Sequence, residues 1–157
     1  MPFNSGDKAM NPLRWLPLAV LLLPLHASAQ TAGHCPELPA GSGLTWEAMD
    51  GPDFLYCKAM PGDGGEQAFS VMLREEATFR PRRALRAEQA VIDGQEVHWY
   101  RGEVSAQPEL IVRETLVELP NKRTAHIMLR AGSEEQRADS QRIAEGLRFA
   151  DARLGSN

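Results

Sequence analysis

The chain has 157 residues, 43% of them apolar, with 17 Lys+Arg against 21 Asp+Glu for a formal net charge of −4 at pH 7. That acidic balance argues against general nucleic-acid binding, which leans on an excess of cations. The apolar share, although part of it sits in one N-terminal run, argues against a disordered polymer and leaves a modest globular core.

Residues 1–29 read as a cleavable export signal. Lys8 and Arg14 supply a positive start, Trp15 to Leu25 (WLPLAVLLLPL) a short apolar run, and Ala27-Ser28-Ala29 a small-residue cleavage site before Gln30. The run is shorter than the roughly 20 apolar residues that span a bilayer, so it is expected to be removed rather than kept as an anchor. Met10, followed by Asn-Pro-Leu-Arg-Trp, would itself begin a compact signal, which makes Met1 and Met10 alternative starts. Removal of 29 of the 157 residues leaves 128, enough for one domain with a single core and too few for two ordinary ones. Lys8, Arg14 and Asp7 leave with the signal, taking the basic count from 17 to 15 and the acidic count from 21 to 20, a net charge of −5.

Gln30 to Gly43 is rich in small residues, Pro and Gly, and is expected to form an extended lead-in pinned by Cys35. Cys35 and Cys57 are the only cysteines. In an oxidising compartment they are expected to pair, closing a loop of about 23 residues and contributing roughly 3 kcal/mol on the chain-entropy model. There is no CxxC for redox work, and two separated thiols are too few for a zinc site without histidines. Thr31-Ala32-Gly33-His34 stands between the small-residue stretch and Cys35, which argues against lipidation of that cysteine.

Leu44 to Met49 carries no decisive pattern. Phe54 to Met60 (FLYCKAM), the loop Pro61-Gly62-Asp63-Gly64-Gly65 and Gln67 to Arg74 (QAFSVMLR) then read as strand, turn and strand. In the second strand Phe69, Val71 and Leu73 alternate with Ala68, Ser70 and Met72, the period of two expected when one face is buried. Thr78 to Ala90 reads as a short basic helix or an irregular connector, with Pro81 suited to the first turn of a helix. Asp93-Gly94 between AVI and QEVHWYRGEV is a strong hairpin signal. Leu110 to Leu119 and Arg123 to Arg130, on either side of Pro120-Asn121-Lys122, give a third antiparallel pair with Ala125, Ile127 and Leu129 on one face.

Ser133 opens the last element as an N-cap, Gln136 completes a capping box, and Glu134 and Glu135 favour the positive end of the helix dipole. Ser140, Ile143, Ala144 and Leu147 fall on the face expected to lie on the sheet, with Arg137, Asp139, Gln141 and Arg142 toward water and an end near Phe149. About six strands in hairpins with a C-terminal helix packed on one face make an α+β layer architecture. The expected organisation is a signal over 1–29, the lead-in over 30–43, one domain over 44–150 and a tail over 151–157.

The order from Val91 to Phe149, with its DG hairpin, the strands LIVRETLVEL and TAHIMLR and a capped helix ending in IAEGLRF, resembles the end of the PsbP/Mog1-like sandwich domains. The resemblance covers about half of the chain after the signal. It implies a non-enzymatic accessory or binding role.

Few residues suggest chemistry. His98 and His126 lie in predicted strands and, were those strands neighbours, could meet Glu96 or Glu114 on one face as a metal site for a small hydrolase. No GxSxG elbow is present, and the pairs Glu75-Glu76 and Glu134-Glu135 point apart or lie side by side rather than converging. Gly62, Gly64 and Gly65 lack the Lys-Ser/Thr of a phosphate loop and the acidic spacing of a calcium loop. Arg80, Arg82, Arg83 and Arg86 run against the acidic whole and suit an anionic partner. Trp99-Tyr100 should send one ring to the core and the other to the opposite face, where it suits an interface.

The expectation is therefore an exported, non-enzymatic binding or accessory protein, periplasmic or secreted, that contacts another periplasmic or envelope protein. Its contact residues would be Arg80, Arg82, Arg83, Arg86, Trp99 and Tyr100. No cofactor, catalytic residue, metal ligand, nucleic acid or membrane span is expected. An immunity-like inhibitor of a toxic periplasmic enzyme and a small metal-dependent hydrolase using His98 and His126 are the alternatives.

Overall fold

Seven strands pair into a single antiparallel sheet in the computed structural model, which describes residues 31–155. The expected export signal over 1–29 lies outside the described residues. The strands are β1 (Leu44–Asp50), β2 (Phe54–Pro61), β3 (Phe69–Arg74), β4 (Arg86–Ile92), β5 (Gln95–Gly102), β6 (Ile111–Glu118) and β7 (Thr124–Ala131). They stand in the order β1-β2-β3-β7-β6-β5-β4. Two meanders, β1 to β3 and β4 to β7, are joined where β3 pairs with β7.

The extra strand relative to the sequence reading is β1. Its outer edge has no partner strand and most of its residues are exposed, so its alternation is weak. The stretch Thr78 to Ala90 also departs from a helix. Only Arg83–Leu85 makes a single 3-10 turn, and Arg86 already begins β4. A register shift between Arg86 and Gln89 breaks the period of two there and hides the strand from a periodicity reading.

Asp93 and Gly94 adopt φ of 48° and 81°. This is the left-handed pair that a two-residue hairpin requires, and that Asp-Gly supplies at low cost. Asp93 has a second task, accepting a hydrogen bond from the Phe149 amide at 3.0 Å and so tying the β4-β5 turn to the segment after the helix.

The core lies on one face of the sheet. Leu55, Cys57 and Ala59 of β2, Phe69, Val71 and Leu73 of β3, Ala125, Ile127 and Leu129 of β7, and Trp99 of β5 point into it. Over them lies α1 (Glu134–Glu145), packed against β7 and β4. Ser133 Oγ accepts the Gln136 amide at 3.2 Å, while the Gln136 side chain reaches back to the amide of Gly132 rather than that of Ser133.

The rest of this face is covered by chain from both ends of the described span. The lead-in bridges the C-terminal segment at His34 with Arg153 and at Glu37 with Arg148. Cys35 and Cys57 are joined, with Cα atoms 6.0 Å apart, and both are buried. Trp46 donates its indole N–H to the Pro36 carbonyl at 2.7 Å and meets Phe69 edge-on, holding β1 beneath the lead-in.

Candidate binding site

Side chains at alternate positions project from the opposite face. The strand register sets Met72 beside His126 and Leu116 beside His126, and it pairs Met128 with Ser70 and with Glu114, which in turn faces Tyr100. Among the described residues no α-helix covers this face. Instead the β3-β4 connection, residues 75–85, runs over the sheet from β3 to the far edge as a strap, its Phe79 meeting His126 of β7 and Tyr100 of β5.

Phe79 anchors the strap. Its ring stacks on the His126 imidazole at 4.9 Å and 3° and meets Tyr100 edge-on at 5.8 Å. Beneath it, His126 Nε2 lies 3.2 Å from Glu114 Oε1, but the ring nitrogen is not aimed for a hydrogen bond. The contact is therefore an electrostatic one, attractive when the imidazole is protonated.

A cleft opens on each side of the strap. The first, about 510 Å³, is lined by Pro81, His98, Tyr100, Leu116 and Glu118 among others. The second, about 470 Å³, is lined by Phe79, Arg80, Arg82 and Leu85 from the strap and by Arg101, Gly102, Glu103 and Glu114 from the sheet side. Both volumes fall in the range of small-ligand pockets.

The arginines singled out by sequence are all exposed, and among the described residues none of the four forms an ion pair. Arg80 and Arg82 border the second cleft, Arg83 sits in the 3-10 turn, and Arg86 opens β4 opposite Tyr100. Tyr100 is nearly buried under the strap. Trp99 is wholly buried on the core face, so it offers no contact surface, and the expectation that it belongs to the contact set is corrected.

The two strand histidines share a face without meeting. β6 separates β5 from β7, and Leu116 stands beside His126 in the register. Of the two carboxylates considered with them, Glu114 approaches His126 and Glu96 lines the first cleft with His98. Among the described residues no three His, Cys, Asp or Glu side chains gather as a metal site.

One polar constellation escaped the sequence reading altogether. Glu88 accepts three hydrogen bonds from Arg113, at 2.9 to 3.2 Å, and lies 3.6 Å from Arg137 of α1. Arg137 donates to Gln141 Oε1 at 2.6 Å, Gln141 donates to Glu145 Oε1 at 3.1 Å, and the Trp99 indole N–H donates to that same oxygen at 2.8 Å. Gln141 is buried and Arg137 half-buried, which corrects the expectation that both face water. Hydrogen bonding from Arg113 holds the Glu88 carboxyl below its ordinary range; its burial opposes that shift, and the nearby Arg137 charge adds to it. The signal was present in the spacing 137-141-145, a polar stripe one turn apart on a helix.

No family model, curated protein or solved structure matches the chain. Among the described residues no helix is long and apolar enough to cross a membrane.

Proposed function

We propose that this chain is an exported, non-enzymatic binding protein of the bacterial periplasm that contacts another envelope protein through the strapped face of its sheet. The observation that carries the reading is the row Arg80, Arg82, Arg83 and Arg86. Among the described residues these four exposed guanidinium groups form no ion pair, on a chain whose overall charge is negative. Arg142, by contrast, is paired with Asp139 at 3.1 Å. Guanidinium groups left free and grouped suit bidentate contact with carboxylates of a partner. Export is supported by the N-terminal charge and hydropathy pattern and agrees with the disulfide.

The resemblance to PsbP/Mog1-like domains points the same way. The hydrolase alternative draws less support, since the sheet keeps β6 between His98 and His126. The test is capture from envelope extracts with wild-type protein and with Arg80, Arg82, Arg83 and Arg86 all changed to Glu. A stoichiometric acidic partner is expected with the wild type and should be lost in the variant and at high salt. Equal recovery by both forms, or no stoichiometric protein with either, overturns the reading.

A further inference from the structure

The second cleft differs from an ordinary basic patch in being lined by both signs of charge. Arg80 and Arg82 enter it from the strap, and Arg101, which also donates to the Ala84 carbonyl at 3.3 Å, enters from β5. Glu103 and Glu114 border the same space, and Phe79 and Leu85 supply apolar wall. Gly102 keeps the floor open. A Cβ there would lie 2.7 Å from Val112 Cγ1 and 2.9 Å from Glu114 Oε2, so any side chain would crowd the wall of the cleft and press on the Glu114 carboxylate.

Glu114 turns Oε1 to His126 beneath the Phe79 ring, and among the described residues it forms no ion pair with these arginines. Its Oε2 lies beside Gly102, and both residues line the cleft. The arginine row alone would suit any anion. Three guanidinium groups and two carboxylates lining one space of about 470 Å³, two of the arginines on the strap and both acids on the sheet side, favour a molecule that carries both charges.

The geometry points to a small zwitterionic ligand for this cleft, one with a carboxylate for Arg80, Arg82 and Arg101 and an ammonium group for Glu114 and Glu103, as in a free amino acid or a short peptide. Phe79 and Leu85 would pack against its apolar part. The inference rests on the contact reading only in sharing Arg80 and Arg82, since Arg83 and Arg86 lie outside the cleft lining.

Isothermal titration with the dipeptide Ala-Ala, its N-acetylated form, its C-terminal amide, free alanine, acetate and methylamine tests it. Saturable 1:1 binding of the unblocked dipeptide or of the free amino acid is expected, and which of the two binds tells a peptide end from a single residue. Blocking either terminus should weaken binding at least tenfold. Arg101→Ala and Glu114→Gln should each abolish it while leaving the cooperative melt in place. An Arg83→Glu, Arg86→Glu double variant should keep it, so that loss of the protein partner and loss of the ligand are separate outcomes. Acetate binding as tightly as the dipeptide, or no binding of either unblocked compound at millimolar concentration, overturns the proposal.

Discussion

Glu88 is an acidic side chain turned inward from an edge strand, and two arginines hold it there. Its bidentate contact with Arg113 satisfies a guanidinium that is only 12% exposed, and the link through Arg137, Gln141 and Glu145 to the Trp99 indole ties three strands to α1. An inward charge and a register shift on the same edge strand also discourage pairing with another sheet. Replacing Glu88 with Gln leaves Arg113 short of its counter-charge and should cost about 1 to 2 kcal/mol at neutral pH, moderated because Glu88 keeps contact with water. The Glu88 carboxyl is held below its ordinary value of 4.5 in the folded chain. Its contribution is therefore complete above that value and is lost as pH falls through the lower, folded one. Thermal melts of wild type and Glu88→Gln should show a constant gap from pH 7 to about 5 that closes in more acidic solution. A gap that widened on acidification would mean the carboxylate is not stabilised in the fold.

Among the elements, the strap over residues 75–85 depends on few contacts. Phe79 provides its aromatic anchorage, through the stack on His126 and the edge contact with Tyr100. Each such pair is worth about 0.5 to 1.5 kcal/mol beyond its buried area, so Phe79→Ala should release the strap without unfolding the sheet. Hydrogen exchange should rise at residues 76–85 and stay near wild type in β6 and β7, because stability is lost locally where contacts are few. A uniform rise across the sheet would show instead that Phe79 belongs to the core. Legibility from sequence followed the same division between well-patterned and weakly patterned elements. Strands buried on one face announced themselves, as Phe69, Val71 and Leu73 did, and Asp93-Gly94 named its turn. β1 did not, because an edge strand with exposed positions on both faces has little alternation to read. β4 announced only its end, Ala90 to Ile92 before the turn, because the shift at Arg86 to Gln89 interrupts the period of its first half. The site was legible mainly in the arginines of its strap. The arginines stood out by composition, whereas Phe79, Glu114 and Gly102 acquire their roles from register and from a crossing that no local pattern encodes.

At the scale of the whole molecule, α1 packs mainly on β7 and β4, and the core over β1, β2 and β3 needs a further cover. The cover is made of two irregular segments, the lead-in and the chain after α1, paired to one another at His34 with Arg153 and at Glu37 with Arg148. Irregular cover contributes few backbone hydrogen bonds to the sheet beneath it, so its attachment falls to side chains: Trp46 on Pro36, the Phe149 amide on Asp93, and the Cys35–Cys57 bond. Of these only the disulfide acts on the unfolded chain as well, by closing a loop between residues 22 apart in sequence. On the chain-entropy account that closure is worth roughly 3 kcal/mol. For a domain of this size the loss should lower the melting temperature by about 10 °C. Cys35 and Cys57 are both buried, so the comparison is best made with the Cys35→Ala, Cys57→Ala double variant alongside verified reduction of the wild type. Both should melt earlier, and by similar amounts if loop closure dominates. Exchange in the lead-in should rise first, since it is the segment the bond pins to β2. An unchanged transition in both samples would assign the attachment of the lead-in to Trp46 and the His34–Arg153 and Glu37–Arg148 bridges, and would leave the disulfide energetically idle.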